Sequence, residues 1–141
     1  MTTKKGRMKV LSKKSVLIVD DDPGMLRALD KVLTGEGAVV TGADSAGAAV
    51  KVLTGRKKKI DLVITDLRMP FVTGLTVVYA IHEIFPELPV IVLTAFGSSD
   101  VKEECLRQGA AAFLEKPLNT PQLLAAITGV FTARPGRAER F

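Results

Sequence analysis

Four short apolar runs recur along the chain, and each presents apolar side chains at every consecutive position. They read VLIV at 16–19, LVI at 62–64, VIVL at 90–93 and AAFL at 111–114. The first three are rich in β-branched residues, and a run that is apolar on both alternating faces is typical of a strand buried on both sides of a parallel sheet. A weaker run, AVVT at 38–41, predicts an edge strand of the same sheet.

Amphipathic helical patterns separate these runs. Apolar residues recur at three- and four-residue spacing in five segments, and glycine or proline follows the first three of them. Asp100 and Glu103 have the spacing of a capping box at the start of the fourth segment, whereas Thr120 and Pro121 predict the cap and the first helical position of the fifth. The apolar stripes are Met25, Leu29, Val32 and Leu33; Ala46, Ala49, Val50 and Leu53; Leu75, Val78, Tyr79 and His82; Val101 and Cys105; and Leu123, Leu124, Ile127, Val130 and Phe131.

Strict alternation of strands and helices predicts an α/β fold, with a five-stranded parallel sheet, helices on both faces and right-handed crossovers. Five strand–helix pairs fit the flavodoxin-like (βα)5 sandwich, whose strand order is 2-1-3-4-5. The length of 141 residues predicts one domain. We assign that domain to residues 15–133.

The net charge of +5 is carried by the two ends of the chain. Residues 1–14 contain six basic residues and no acidic one, and residues 134–141 contain three arginines and one glutamate. The remainder, 15–133, is therefore mildly acidic. We predict a basic, flexible tail at 1–14 and a short tail at 134–141. The acidic domain itself is not expected to bind nucleic acid, although a nucleic-acid-binding role of the tails stays an open alternative.

The composition excludes several other classes of protein. No apolar stretch is long enough to cross a bilayer, and none follows the basic start as in a secretory signal, so no membrane insertion is expected. With one cysteine and one histidine, Cys105 and His82, the chain has neither a disulfide framework nor a Cys-based or multi-histidine metal centre. We therefore expect a cytoplasmic protein.

Polar side chains follow the predicted strands at the point where each strand ends. Asp20–Asp22 follow the first strand, Asp66 the third, Thr94 ends the fourth, and Lys116 follows the fifth. The carboxyl ends of parallel strands meet at one edge, where ligands bind in such folds. Two ionised carboxylates ~4 Å apart repel by roughly 4 kcal/mol at an effective dielectric constant near 20, so the cluster requires a cation or shifted pKa values. Oxygen ligands without His or Cys favour Mg²⁺, and a carboxylate beside a lysine and Mg²⁺ is typical of phosphoryl transfer to an aspartate.

Four motifs carry a closer resemblance, in this order along the chain: VLIVDDDP at 16–23, DLVITDLRMP at 61–70, VIVLTA at 90–95 and FLEKP at 113–117. With them, the chain resembles the receiver domain of two-component response regulators, and is similar to the chemotaxis regulators, over residues 15–132. The resemblance implies the flavodoxin-like strand order and a phosphoacceptor function.

The resemblance implies a role for each acidic motif residue. Asp66 would be the phosphoacceptor. Asp21 would bind Mg²⁺ directly, Asp20 would act through the metal or its water, and Asp66 and the backbone carbonyl of Arg68 would complete the protein ligands. Mn²⁺ would substitute for Mg²⁺. Asp22 is instead expected at the start of the first helix, where the helix dipole favours it.

The resemblance also implies a switch. Thr94 would donate its hydroxyl to one phosphoryl oxygen and Lys116 would pair with another, with a cis bond between Lys116 and Pro117. Phe113 takes the place of the aromatic that turns inward when Thr94 moves. Phosphorylation would thereby change the surface formed by the fourth helix, fifth strand and fifth helix.

The implied partners are a histidine kinase or a histidine phosphotransfer protein upstream and an unspecified effector protein downstream. The chain would be a signalling switch that assists its own phosphorylation and dephosphorylation, not an enzyme. Dimerisation through the fourth and fifth helices is open, as is whether the chain is complete or part of a longer protein.

Two other functions fit the residues after the first strand less well. An aspartyl-nucleophile hydrolase of the haloacid-dehalogenase kind requires Asp-x-Asp-x-(Thr/Val) after the first strand, and Asp20–Gly24 lacks the Thr or Val. A flavodoxin-type cofactor site requires a Ser/Thr/Gly phosphate loop at the same place, where three aspartates would repel a phosphate.

Overall fold

The computed structural model describes residues 11–55, 59–69, 72–95 and 97–132. These residues form five helices and seven strands, five of which build one sheet. The strands are β1 (Ser15–Val19), β2 (Val39–Ala43), β3 (Leu62–Thr65), β4 (Arg68–Met69), β5 (Val72–Thr73), β6 (Val90–Thr94) and β7 (Ala112–Glu115). The helices are α1 (Pro23–Gly35), α2 (Ala46–Thr54), α3 (Gly74–Ile84), α4 (Ser99–Arg107) and α5 (Thr120–Thr132). None of the described helices combines the length and the apolar character that a membrane span requires.

The main sheet is parallel throughout and has the order β2-β1-β3-β6-β7. Counting only its own strands, this is the predicted order 2-1-3-4-5, so the predicted fold class is confirmed. Every residue of β1, β3 and β6 is buried, as the two-sided apolar runs predicted. The edge strand β2 starts one residue later than predicted and continues to Ala43.

Alternate residues of the central strands enter two separate cores. Leu17 and Val63 face the core formed with α2, α3 and α4, while Ile18 and Ile64 face the core formed with α1 and α5. This alternation follows from the two-residue repeat of a strand, and it explains why no polar side chain interrupts the runs. The sheet is consequently held from both faces, which fixes its carboxyl edge.

Two of the predicted helical stripes are partly wrong. Val50 on α2 and Tyr79 on α3 are 55% and 51% exposed, whereas Val77 and Ile81 on α3 are buried. His82 is exposed as well. Helix α3 carries apolar residues around most of its circumference, so its sequence allowed more than one stripe. In the folded protein, the buried face of α3 contains aliphatic side chains, and the hydroxyl of Tyr79 stays at the surface, where water can hydrogen-bond it.

The predicted caps of the last two helices are also wrong. Ser98 caps α4, and its hydroxyl accepts a hydrogen bond of 3.2 Å from a backbone amide of the first turn, so Asp100 lies inside the helix. Asn119 caps α5, and its Oδ1 accepts a 2.9 Å bond from the amide three residues later, so Thr120 is the first helical residue. Ser98 stands two residues before Asp100 and Asn119 stands directly before Thr120, and both are residue types that favour the N-cap position.

The antiparallel pair β4–β5 was not predicted. Arg68 pairs with Thr73 and Met69 with Val72 in this two-stranded sheet, which lies between Asp66 and α3. Each strand has two residues, too few for an alternation of polar and apolar side chains to be visible in the sequence.

Part of the predicted N-terminal tail packs on the domain. Leu11 is fully buried in the core formed with α1 and α5, and the amide of Lys13 donates a 2.9 Å hydrogen bond to the carbonyl oxygen of Gly37. Residues 11–14 therefore belong with the folded body. The rest of that prediction falls on residues 1–10, outside the described residues.

Replacing Leu11 with alanine should lower the free energy of unfolding by about 3 kcal/mol, because a fully buried leucine leaves a cavity when it is truncated. Urea denaturation followed by circular dichroism measures this change. The control is Ile84→Ala, since Ile84 is 65% exposed and its truncation should cost less than about 0.5 kcal/mol. Equal losses in the two variants would contradict the burial of Leu11.

Candidate functional site

The carboxyl edge of the sheet brings together the polar residues that follow its strands. The amide of Asp20 donates to the carbonyl of Ala43 at 3.0 Å, and the amide of Asp66 donates to the carbonyl of Val19 at 3.0 Å. These bonds continue the parallel ladder one residue beyond β1 and β3. Both aspartates are thereby fixed by backbone bonds at neighbouring strand ends.

An ion cluster joins three of the predicted site residues. The Nζ atom of Lys116 lies 3.0 Å from Oδ2 of Asp20 and 3.0 Å from Oδ2 of Asp66. The two oxygens are therefore no further apart than twice this distance. The cluster is largely shielded from water, since Asp20 is 2% and Asp66 7% exposed. At low local dielectric, one ammonium group holds two carboxylates together.

Burial and charge act in opposite directions on these groups. Burial raises the pKa of Asp20, and the hydrogen bonds from the Asp22 amide and from Lys116 offset this only in part. Burial lowers the pKa of Lys116, but its hydrogen bonds to Asp66 and Asp20 outweigh burial and leave the pKa above its usual value. Lys116 is thus firmly protonated, and the cluster retains more negative than positive charge when both aspartates are ionised.

The three consecutive aspartates have three different environments. Oδ1 of buried Asp20 accepts a 3.0 Å hydrogen bond from the amide of Asp22. Asp21 is exposed. Asp22 is the N-cap of α1, with its Oδ1 accepting from the amide of Gly24 at 2.9 Å, as its predicted position at the helix start requires.

The backbone after β3 turns toward the Asp66 carboxylate. The amide of Arg68 donates to Oδ1 of Asp66 at 3.3 Å, so Oδ1 and Oδ2 of Asp66 have separate partners. The buried hydroxyl of Thr65 donates to the Asp66 carbonyl oxygen at 3.0 Å. Thr65 was missed in the sequence, where the signal was one polar residue directly after an apolar run.

The remaining predicted residues lie on β6 and β7. Thr94 is fully buried, and its carbonyl oxygen accepts a 2.8 Å hydrogen bond from the amide of Lys116. Phe113 pairs in register with Val92 and is partly buried against the core formed with α2, α3 and α4. The bond between Lys116 and Pro117 is cis, as predicted.

The oxygen atoms at this edge suit a hard divalent cation. Within the described part of the chain, no three His, Cys, Asp or Glu side chains are already gathered as a metal-binding group. The ammonium group of Lys116 lies within 3.0 Å of both Asp20 and Asp66 and balances part of their negative charge. A divalent cation bound at this edge would balance the remainder. Mg²⁺ prefers oxygen ligands and is usually bound through one or two carboxylates, so the residues present fit that ion.

Comparison with known proteins identifies the class to which this fold and site belong. The chain is a member of the response regulator receiver domain family, whose family model matches residues 16–128. It is 42% identical over 112 residues to the transcriptional regulatory protein GlrR of Escherichia coli K12, covering 79% of this chain and 25% of that protein. It is 33% identical over 122 residues to the DNA-binding transcriptional regulator NtrC of Proteus hauseri, covering 86% of this chain and 25% of that protein. The chain thus spans about a quarter of the length of these curated relatives.

Solved structures agree with this assignment. A complex of CheX with CheY, BeF3 and Mg from Borrelia burgdorferi matches with a TM-score of 0.79 and 32% identity, over 86% of this chain and 92% of that chain. A response regulator receiver domain protein from Clostridium thermocellum matches with a TM-score of 0.77 and 31% identity, over 83% of this chain and 93% of that chain. The protein is therefore a receiver domain of two-component signalling with the CheY-like fold.

Proposed function

We propose that Asp66 is the residue at which this receiver domain accepts a phosphoryl group. The observation that carries the proposal is the position of Lys116 Nζ, 3.0 Å from a carboxylate oxygen of Asp66 and 3.0 Å from one of Asp20. This arrangement puts a fixed positive charge beside a carboxylate at the edge where ligands bind in this fold. Such a charge stabilises the oxygens of a transferring phosphoryl group.

Four groups would hold Mg²⁺ at this edge: the carboxylates of Asp20, Asp21 and Asp66, and the backbone carbonyl of Arg68. The exposed Asp21 is available to an ion that enters from solvent, and the Arg68 backbone already approaches Asp66. When bound, the ion supplies positive charge that neutralises phosphoryl oxygens. We propose Mn²⁺ as a substitute, because it also prefers oxygen ligands.

The chemical step assigned to Asp66 is a nucleophilic attack. A carboxylate oxygen of Asp66 forms a bond to phosphorus while the bond from phosphorus to the donor histidine nitrogen breaks, and that nitrogen keeps the electron pair. Lys116 donates a hydrogen bond to one phosphoryl oxygen and the hydroxyl of Thr94 donates to another. Water later hydrolyses the acyl phosphate, so the chain acts as a switch that resets itself and not as an enzyme that turns over a substrate.

The output proposed for this switch is a change at α4, β7 and α5. A backbone hydrogen bond joins Thr94, the last residue of β6, to Lys116, the residue directly after β7, so a movement of either residue displaces the other. Phe113 lies on β7 and is one of the residues that line an open pocket of about 400 Å³ beside this strand, so a change in its ring would alter the same surface. A shift from 1:99 to 99:1 between two states takes about 5.5 kcal/mol, of which the new charge-assisted bonds would supply part.

The proposed phosphoryl donor is a histidine kinase or a histidine phosphotransfer protein in the cytoplasm. Downstream, the phosphorylated domain would act on an effector protein or an effector region. We leave the identity of this effector open, because the matched relatives extend well beyond the segment that this chain covers. A homodimer formed through α4 and α5 is one form that the phosphorylated state would take. The acidic domain, 15–133, is not proposed to contact nucleic acid.

Incubation of the purified chain with acetyl phosphate tests the proposal. With Mg²⁺ or Mn²⁺, intact-protein mass spectrometry should show the addition of one phosphoryl group, and hydroxylamine should remove it because an acyl phosphate is labile to that nucleophile. With a chelator, the addition should disappear. A chain that gains no phosphoryl group under any of these conditions, or that instead turns over p-nitrophenyl phosphate repeatedly, would overturn the proposal in favour of an inert domain or an aspartyl phosphatase.

A further inference from the structure

Thr65 is a polar residue at a buried position of the sheet, with a strand on each side. It is the last residue of β3, is 1% exposed, and pairs in register with Val19 of β1 and Val92 of β6. The other three residues of β3 are aliphatic. A hydroxyl buried among such neighbours destabilises the fold unless it is hydrogen-bonded, whereas valine would fill the same volume without that requirement.

The hydroxyl of Thr65 is bonded to the backbone of the proposed phosphoacceptor. Its Oγ1 donates to the carbonyl oxygen of Asp66 at 3.0 Å. This carbonyl belongs to the first peptide group after the strand. From that peptide the chain turns so that the amide of Arg68 donates to Oδ1 of Asp66 at 3.3 Å. The orientation of the peptide after Asp66 therefore affects both the carboxylate and the Arg68 backbone.

We propose that Thr65 is a positioning residue for phosphoryl transfer, an inference that rests on the function proposed for Asp66. Its hydroxyl holds the peptide after Asp66 so that one carboxylate oxygen stays on the Arg68 amide while the other stays on Lys116. The backbone carbonyl of Arg68, one of the proposed Mg²⁺ ligands, is held by the same turn. Without the hydroxyl, the strand keeps its packing but the turn loses this restraint.

Thr65→Val and Thr65→Ser separate the hydroxyl from the methyl group. The valine variant should be phosphorylated by acetyl phosphate about tenfold more slowly at saturating Mg²⁺, because small misplacements of reacting groups reduce rates strongly. Its thermal midpoint should stay close to that of the parent protein. The serine variant should show the reverse pattern, with a rate near that of the parent and a lower midpoint. Thr41→Val makes the same chemical change on the edge strand β2 and should leave the rate unchanged.

The outcomes distinguish this inference from the proposed function. If the parent protein is not phosphorylated, the proposed function fails. If the parent is phosphorylated and the valine variant matches its rate at saturating Mg²⁺, the positioning role of Thr65 is refuted. A serine variant slowed as much as the valine variant refutes it too. Were the valine variant unable to fold, Thr65→Ala against Thr65→Ser would decide, with a slow alanine variant and a fast serine variant expected.

Discussion

Replacing Asp66 with asparagine should abolish the hydroxylamine-labile phosphoryl group that we expect acetyl phosphate and Mg²⁺ to place on this receiver domain. The amide is uncharged, and its oxygen is a far weaker nucleophile than a carboxylate oxygen, so it does not attack phosphorus. Loss of a nucleophile of this kind lowers the rate by a factor on the order of 10³ or more. The phosphorylated fraction of each variant, measured by intact-protein mass spectrometry over time, gives the comparison.

The fold of the Asp66→Asn variant should persist. Asparagine has the same shape, and its Oδ1 still accepts the hydrogen bond from the Arg68 amide. The matched control is Asp44→Asn, because Asp44 is an exposed aspartate directly after the edge strand β2. That variant should be phosphorylated like the parent protein. A labile phosphoryl group that persists in the Asp66 variant, or that is lost equally in both variants, would contradict the assignment of Asp66.

Much of the fold was predictable because burial on both faces leaves a direct trace in a sequence. VLIV at 16–19 and VIVL at 90–93 have no polar position, and a short, β-branched run of this kind is typical of a strand covered by helices on both sides. Once the strands are placed, the fold class brings the residues after them to one edge. The meeting of Asp20, Asp66 and Lys116 was predictable for this reason.

The features that the sequence did not reveal depend on contacts between distant segments. Leu11 lies among basic residues, and its burial follows only from the position of α1 and α5 against the start of β1. The helical spacing of Tyr79 predicted that it is buried, but the sheet packs against the aliphatic side of α3 and leaves Tyr79 exposed. The sequence does not show that the hydroxyl of Thr65 donates a hydrogen bond to the Asp66 carbonyl oxygen, and this bond is the observation that suggests a role for Thr65.

Replacing Lys116 with methionine should produce the second large effect, a loss of about 3 kcal/mol in the free energy of unfolding, measured in a chelator near neutral pH. Methionine has a similar length and no charge. Its substitution leaves two nearly buried carboxylates, on Asp20 and Asp66, without the ammonium group that bridges them. The control is Lys31→Met on the exposed side of α1, which should cost less than about 0.5 kcal/mol.

The pH dependence of this loss follows from the shifted pKa values. The pKa of Lys116 is raised in the folded protein, so its stabilising contribution is present below the unfolded pKa of about 10.4 and is lost as the pH rises through the raised value. Burial raises the pKa of Asp20 in the folded protein. Protonated Asp20 therefore favours the folded state at a pH below the usual aspartate pKa, and this stabilisation is lost as the pH rises through the raised value. The difference between parent and Lys116→Met should therefore be largest near neutrality and become smaller toward both extremes.

A double-mutant cycle shows whether the loss comes from the ion cluster or from packing. If Lys116 stabilises the fold by balancing charge, then adding Asp20→Asn to Lys116→Met should recover about 1–2 kcal/mol, because one of the two repelling carboxylates is gone. If the loss instead comes from a difference in packing between lysine and methionine, the two changes should add, and the loss should not depend on pH. Additive losses that are flat between acidic and neutral pH would therefore refute the electrostatic account. The same result would weaken the proposal that this edge of the sheet holds a cation and a phosphoryl group, because that proposal depends on the charge balance around Lys116.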